Sequence, residues 1–202
     1  MNRPAMPKPG VTLYFVRHGE TDWNAARRYQ GRRDIPLNAT GRAQARRNGR
    51  ALAEVLGGTA ASLDHVASPL VRARETMEIM RAELMLDPKG YRTDDRLAEI
   101  DYGHWEGRLW TELPHTDPED FAARRADTWG WRPVGGESYR MLSERVGLWL
   151  AGIERDTVVA SHGGVSKALR GLVLQLASAE IPHLEVPQDK VLVVTAGSIR
   201  WL

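Results

Sequence analysis

The chain has 202 residues, 42% hydrophobic and 27% charged, which fits one ordinary globular domain and excludes a disordered or low-complexity protein. It lacks cysteine, so disulfides, zinc–thiolate sites and a cysteine nucleophile are all excluded. The net charge of +2 is too modest to mark a polyanion-binding protein.

Residues 1–10 (MNRPAMPKPG) hold three prolines and are expected to form a flexible lead-in, with 11–202 as a single domain. The lead-in has no apolar core of a signal peptide. No later stretch approaches the roughly 18 apolar residues of a membrane span. Cytoplasmic residence is therefore expected, with no membrane partner. Val11–Val16 (VTLYFV) is a nearly continuous apolar run, the pattern of a strand buried on both faces. A polar, arginine-rich stretch reaches Pro36. Asn38 is placed to cap a helix running to about Leu56, with Ala43, Ala51, Leu52 and Leu56 inward and Gly57-Gly58 as the stop. His65–Ala67 reads as a short strand, and Pro69 suits the first turn of a helix to about Leu84. Tyr91–Thr93 reads as another short strand. Residues 97–135 form an insert containing four of the seven tryptophans, expected to act as a lid over one end of the sheet. Gly135-Gly136-Glu137-Ser138 leads into a helix ending near Glu154. Thr157–Ala160 (TVVA) is again a buried strand, followed by Ser161-His162-Gly163-Gly164 and a helix to about Ala177. Lys190–Thr195 and Ser198–Leu202, joined at Ala196-Gly197, read as an edge hairpin. Strands alternating with helices imply an α/β protein: a three-layer αβα sandwich around a mainly parallel sheet.

In open α/β sheets, ligands bind beyond the carboxyl ends of the strands. Three polar clusters follow strands in such positions: Arg17-His18-Gly19, Ser68-Pro69-Leu70-Val71-Arg72 and Ser161-His162-Gly163-Gly164. Glu99 sits at the mouth of the insert. Two arginines, two histidines and a carboxylate at one sheet edge suit phosphoryl transfer.

These stretches, RHGET at 17–21, SPLVRARET at 68–76, EIDYGHWEG at 99–107 and SHGG at 161–164, resemble the histidine phosphatase (phosphoglycerate-mutase-like) superfamily in type and order. The resemblance spans nearly the whole chain. It implies a nucleophile at His18, which positive surroundings would keep neutral. It implies that Arg17 and Arg72 clamp the phosphoryl oxygens and that His162 donates a further hydrogen bond beside a helix N-terminus. Glu99 would protonate the leaving alcohol and then activate water, a duty suited to a carboxyl with a raised pKa. Its rivals by position are Asp94, Asp95, Asp101 and Glu106. Thr21, Asn24 and Gly163 match secondary phosphate or substrate contacts. No metal or other cofactor is implied, because arginine charge replaces that of Mg²⁺.

The Trp-Glu-Gly ending of the acid loop and the GGES at 135–138 resemble the phosphatase branch rather than the longer glycolytic mutases. The implied partner is a small phosphorylated metabolite: phosphoglycerate, a sugar phosphate, a nucleotide monophosphate or α-ribazole phosphate. Mutase activity and an inert phospho-ligand-binding scaffold are the alternatives. A serine hydrolase is rejected, because no GxSxG accompanies the HGG. His65, His104, His115 and His183 read as surface or loop residues, and Arg74 and Arg81 as ordinary helix-surface arginines. The arginines of 27–50 read as a solvated face or as recognition of a second anionic group, not as a nucleic-acid patch, because acids interrupt them. Monomer and homodimer are both compatible with the sequence.

Overall fold

Side-chain alternation along the strands sorts the apolar residues into two cores. The computed structural model describes residues 7–202. In chain order its elements are β1 (Leu13–Arg17), α1 (Asp22–Ala25), α2 (Ala39–Leu56), β2 (Asp64–Ala67), α3 (Val71–Glu83), β3 (Arg92–Thr93), α4 (Leu113–Thr116), α5 (Pro118–Ala126), α6 (Tyr139–Ala151), β4 (Thr157–Ser161), α7 (Gly163–Leu174), β5 (Val191–Thr195) and β6 (Ser198–Trp201). Leu13 and Phe15 of β1 join one core and Tyr14 and Val16 the other, as the two-residue period of a strand requires. α6 and α7 cover the first face with Leu142, Trp149, Val165 and Leu169. α2 and α3 cover the second with Leu52, Leu56, Met77 and Met80. This is the expected three-layer αβα sandwich.

The sheet order is β3-β2-β4-β1-β5-β6. The first four strands are parallel, and β5 and β6 run antiparallel as the edge hairpin. The register places the chemistry. Arg17 lies opposite Ser161, and Ala67 opposite Ala160, so His18, Ser68 and His162 leave the sheet at nearly the same level.

Asn38 caps α2 by accepting the amide of Gly41, as expected. The buried face of α2 differs from the reading, however: Gly41, Ala45, Asn48, Gly49, Leu52 and Leu56 point inward, while Ala43 is exposed. Their spacing is a clean helical period, hidden in the sequence because half the stripe is glycine or asparagine. Leu70, with an extended ψ of 139°, caps α3, so Pro69 precedes the helix instead of entering its first turn. α6 stops at Ala151, and α7 at Leu174, where Gln175 turns left-handed. His65 and Arg81 are buried, against expectation. His65 Nε2 meets the carbonyl of Ala60, and Arg81 Nε donates to that of Asp87. Of the expected lead-in, residues 1–6 lie outside the described residues; Pro7 is buried and Lys8 pairs with Glu154. No described helix is long and apolar enough to cross a membrane.

The insert has its own small core, in which Tyr29, Trp105 and Leu113 pack with Tyr102, Phe121 and Trp131. It carries Tyr102, Trp110 and Arg124 into the wall of a cavity at the carboxyl end of the parallel strands.

Candidate active site

The cavity measures about 530 Å³ and is lined by Arg17, His18, Asn24, Arg72, Glu99 and Gly163, among others. His18 follows β1 directly, and its amide donates to the Ser161 carbonyl at 2.8 Å. Its ring is held at both nitrogens. Nδ1 lies 2.7 Å from the Gly19 carbonyl, and Arg72 Nε lies 3.2 Å from Nε2. A carbonyl only accepts and a guanidinium only donates, so both contacts require the neutral Nδ1–H tautomer with a lone pair on Nε2. Burial pushes the His18 pKa well below the ordinary imidazole value, and the charges of Arg72 and Arg17 push it further. Gly19 is obligatory here: a β-carbon would stand 2.2 Å from the Gly41 carbonyl oxygen, where α2 begins.

Arg72, on the first turn of α3, is fully buried. Besides Nε on His18, it donates to the carbonyls of Arg33 (2.7 Å) and Gly31 (2.8 Å). Burial lowers its pKa to about 10, leaving it charged at neutral pH. Arg17 donates to the Val186 carbonyl at 2.6 Å, and its buried Nε–H has no partner among the described residues. Burial lowers its pKa too, with Glu99 the largest opposing influence.

His162 caps α7 and is fully buried, 5.1 Å from His18 ring to ring, behind the residues that line the cavity. Its Nε2 is 2.6 Å from Ser68 Oγ, which also accepts the amide of Leu70. The other ring nitrogen, Nδ1, is buried and has no hydrogen-bond partner among the described residues. Burial, then Arg72, depresses the His162 pKa strongly.

Glu99 is half-buried, and its carboxylate accepts the amides of Ile100 (2.9 Å) and Gly164 (3.0 Å). The amide at the start of α7 is thus engaged by the protein's own carboxylate. The GGES stretch supports this loop. Glu137 grips Arg145 through two contacts of 2.7 and 2.8 Å, and Arg145 in turn donates to the backbone carbonyls of Arg96 and Glu99.

The weaker expectations divide. Asn24 lines the cavity and Thr21 does not: its hydroxyl is buried in a capping box with Asn24 and meets Gln30. Gly163 lines the cavity beside the Arg17 guanidinium. Sequence reasoning passed over Lys167, Arg124, Tyr102 and Tyr139, all of which line the cavity, and treated His183 there as an ordinary loop residue. Periodicity could have placed Lys167, one turn into α7, on the same end as Gly163. His104, Asp117 and Asp120 come together outside the cavity. There the Asp117 carboxylate already takes Trp105 Nε1–H at 2.8 Å, and His104 and Arg108 lie beside it.

One end of the cavity thus brings together the neutral His18 imidazole, the guanidinium groups of Arg17 and Arg72 and the Glu99 carboxylate. The profile of the histidine phosphatase superfamily (branch 1) matches residues 13–201, and the chain belongs to that family of enzymes. It is 31% identical to the adenosylcobalamin/alpha-ribazole phosphatase of Salmonella typhimurium, over 88% of this chain and 87% of the relative. It is 40% identical to the Salmonella paratyphi C protein named "Probable phosphoglycerate mutase GpmB", over 95% and 88%. The crystal structure of the alpha-ribazole phosphatase from Shigella flexneri superposes with a TM-score of 0.76 at 27% identity, covering 91% of this chain and 89% of that one.

Proposed function

We propose that this protein is a metal-independent phosphomonoesterase that acts on a small phosphorylated metabolite through a phosphohistidine on His18. The observation that carries the reading is the double restraint on the His18 ring, which presents a neutral Nε2 beside Arg72. Nε2 attacks phosphorus as the ester P–O bond breaks, and Arg17 and Arg72 hold the equatorial oxygens. His162, through Nδ1–H, adds a hydrogen bond to the same group. The leaving oxygen takes its proton from the Glu99 carboxyl. Water then attacks the phosphohistidine and gives a proton to the Glu99 carboxylate; the P–N bond breaks, freeing inorganic phosphate and neutral His18. Asn24 and Gly163 border the substrate, and Thr21 positions Asn24. The Trp-Glu-Gly ending of the acid loop and the GGES at 135–138 support hydrolysis over a retained phosphoenzyme.

A phosphate-release screen over a metabolite panel, in chelator and with His18→Ala as control, tests the reading. Release by wild type alone is expected. Equal inactivity of both proteins would instead favour a phospho-ligand-binding scaffold. Faster interconversion of phosphoglycerates than phosphate release would establish a mutase, the reading suggested by the 40%-identical relative's name.

A further inference from the structure

Among the described residues only two arginines are buried whole, Arg72 and Arg81, and both lie on α3. Arg72 serves the catalytic cavity. Arg81 lies about 14 Å further along the helix and lines a second cavity, of about 560 Å³. That cavity is at the opposite end of β2 from Ser68, between Asp64 and His65 at the strand's start and the loop over 86–92.

The Arg81 guanidinium carries more donors than the protein uses. Its Nε–H donates to the Asp87 carbonyl at 2.7 Å, and no acceptor among the described residues takes the N–H bonds of its two terminal nitrogens. The neighbouring carboxylates are committed elsewhere. Asp64 pairs with Arg92 (2.7 Å), Glu78 with Lys89 (2.6 Å) and the Tyr91 hydroxyl (2.9 Å), and Asp87 accepts the Lys89 amide (3.0 Å). A buried guanidinium without a counter-charge is costly, because it has given up hydration with no ion in exchange. His65 adds a second unmatched group. Its Nε2–H donates to the Ala60 carbonyl, and its Nδ1 is buried with no partner among the described residues. Burial, with the Arg81 charge adding to it, holds the His65 pKa below the ordinary value, so this ring neither neutralises nor adds to the charge of Arg81 near neutral pH. Ala61, Leu63, Leu86 and the Tyr91 ring supply the apolar wall.

We propose that this cavity is a ligand site separate from the catalytic one, in which Arg81 takes the phosphoryl or carboxylate oxyanion of a small organic acid whose carbon frame rests on Leu63, Leu86 and Tyr91. The proposal stands independently of the phosphomonoesterase reading. Gly90 keeps the guanidinium within reach: a β-carbon there would stand 2.6 Å from Arg81 Nη2 and force it aside.

A ¹H–¹⁵N NMR titration of the wild-type protein with methylphosphonate, phenylphosphonate and benzoate tests the site without turnover, since a phosphatase does not cleave the P–C bond. The Gly90 amide and Arg81 Nε–H report on this cavity, and the Gly163 amide reports on the catalytic one. Saturable shifts of the first two are expected, with phenylphosphonate several-fold tighter than methylphosphonate because its ring covers apolar wall. Benzoate against phenylphosphonate tells carboxylate from phosphoryl. Arg81→Gln is expected to weaken binding read at the Gly90 amide about tenfold or more, the effect of one charge-assisted contact. Gly90→Ala is expected to weaken binding read at Arg81 Nε–H several-fold, and both variants to keep the wild-type response at Gly163. Gly90→Ala alters an exposed loop, so it decides the matter even where Arg81→Gln fails to fold. Shifts confined to Gly163, no saturation below about 10 mM, or responses that the variants keep would overturn the proposal.

Discussion

Gly164→Ala tests the placement of Glu99. A β-carbon at residue 164 would stand 2.5 Å from Glu99 Oε1 and 3.2 Å from Ile100 Cγ2 and Leu142 Cδ2. Ordinary contact begins near 3.4 Å, so the carboxylate has to retreat by roughly 1 Å and its contact with the Gly164 amide is lost. The moving atom ends a flexible side chain, so little stability is at stake. The proton-transfer geometry is. Misplacement by about 1 Å can cost on the order of 100-fold, within the 10²–10⁴ that a general acid contributes. We expect Gly164→Ala to reduce kcat/KM on alkyl phosphates by about 100-fold and on p-nitrophenyl phosphate, whose leaving group needs no proton, by less than tenfold. The comparison is Gly163→Ala, whose β-carbon would meet Arg17 at an ordinary 3.5 Å; it is expected to lose several-fold less on alkyl phosphates. Stopped-time phosphate release on the two substrate types, with thermal melts, decides the matter. Equal losses on both substrate types in a well-folded Gly164→Ala protein would refute the assignment of Glu99.

Three further outcomes follow from the same geometry. Ser68→Ala removes the partner of His162 Nε2, and we expect kcat/KM to fall about tenfold, the worth of one hydrogen bond, with recovery in Ser68→Thr and an altered pH profile; an unchanged profile would show that Ser68 is mere packing. His18 and His162 are held neutral below their unfolded pKa of about 6.5, so the unfolded chain binds more protons and stability falls as the pH drops through that value. Two such groups approach a slope of about 2.7 kcal/mol per pH unit, measurable by urea melts between pH 7.5 and 5, and a flat curve would contradict the buried neutral rings. Arg145→Leu leaves the buried Glu137 with only the longer 3.8 Å contact to Arg32 and frees the carbonyls of Arg96 and Glu99, so a loss of about 3 kcal/mol is expected in the same melts.

The parts of the fold that were legible in the sequence are those set by local rules. The apolar run of β1, the Asn38 cap and the hairpin at Ala196-Gly197 each depend on a few adjacent residues. Parallel strands in register then brought Arg17, His18 and Arg72 together, as the motifs implied. What escaped depends on partners distant in sequence. The inward stripe of α2 runs through Gly41 and Gly49 because backbone of Glu20 and α3 lies against them, which no hydrophobicity pattern records. Thr21 shares its motif with the site but spends its hydroxyl on a capping box, and only coordinates separate that from a phosphate contact. Lys167 and Arg124 both line the cavity from elements about forty residues apart, and neither sits in a stretch that looks catalytic.

The most direct test of the account is to locate the phosphorus in the trapped intermediate. Rapid acid-free quenching of wild type with a phosphomonoester, followed by ³¹P NMR and peptide mapping, reads both the residue and the ring nitrogen. Phosphate is expected on Nε2 of His18, because Nδ1 is committed to the Gly19 carbonyl. Phosphate on Nδ1, on His162, or on no histidine while turnover proceeds would contradict it.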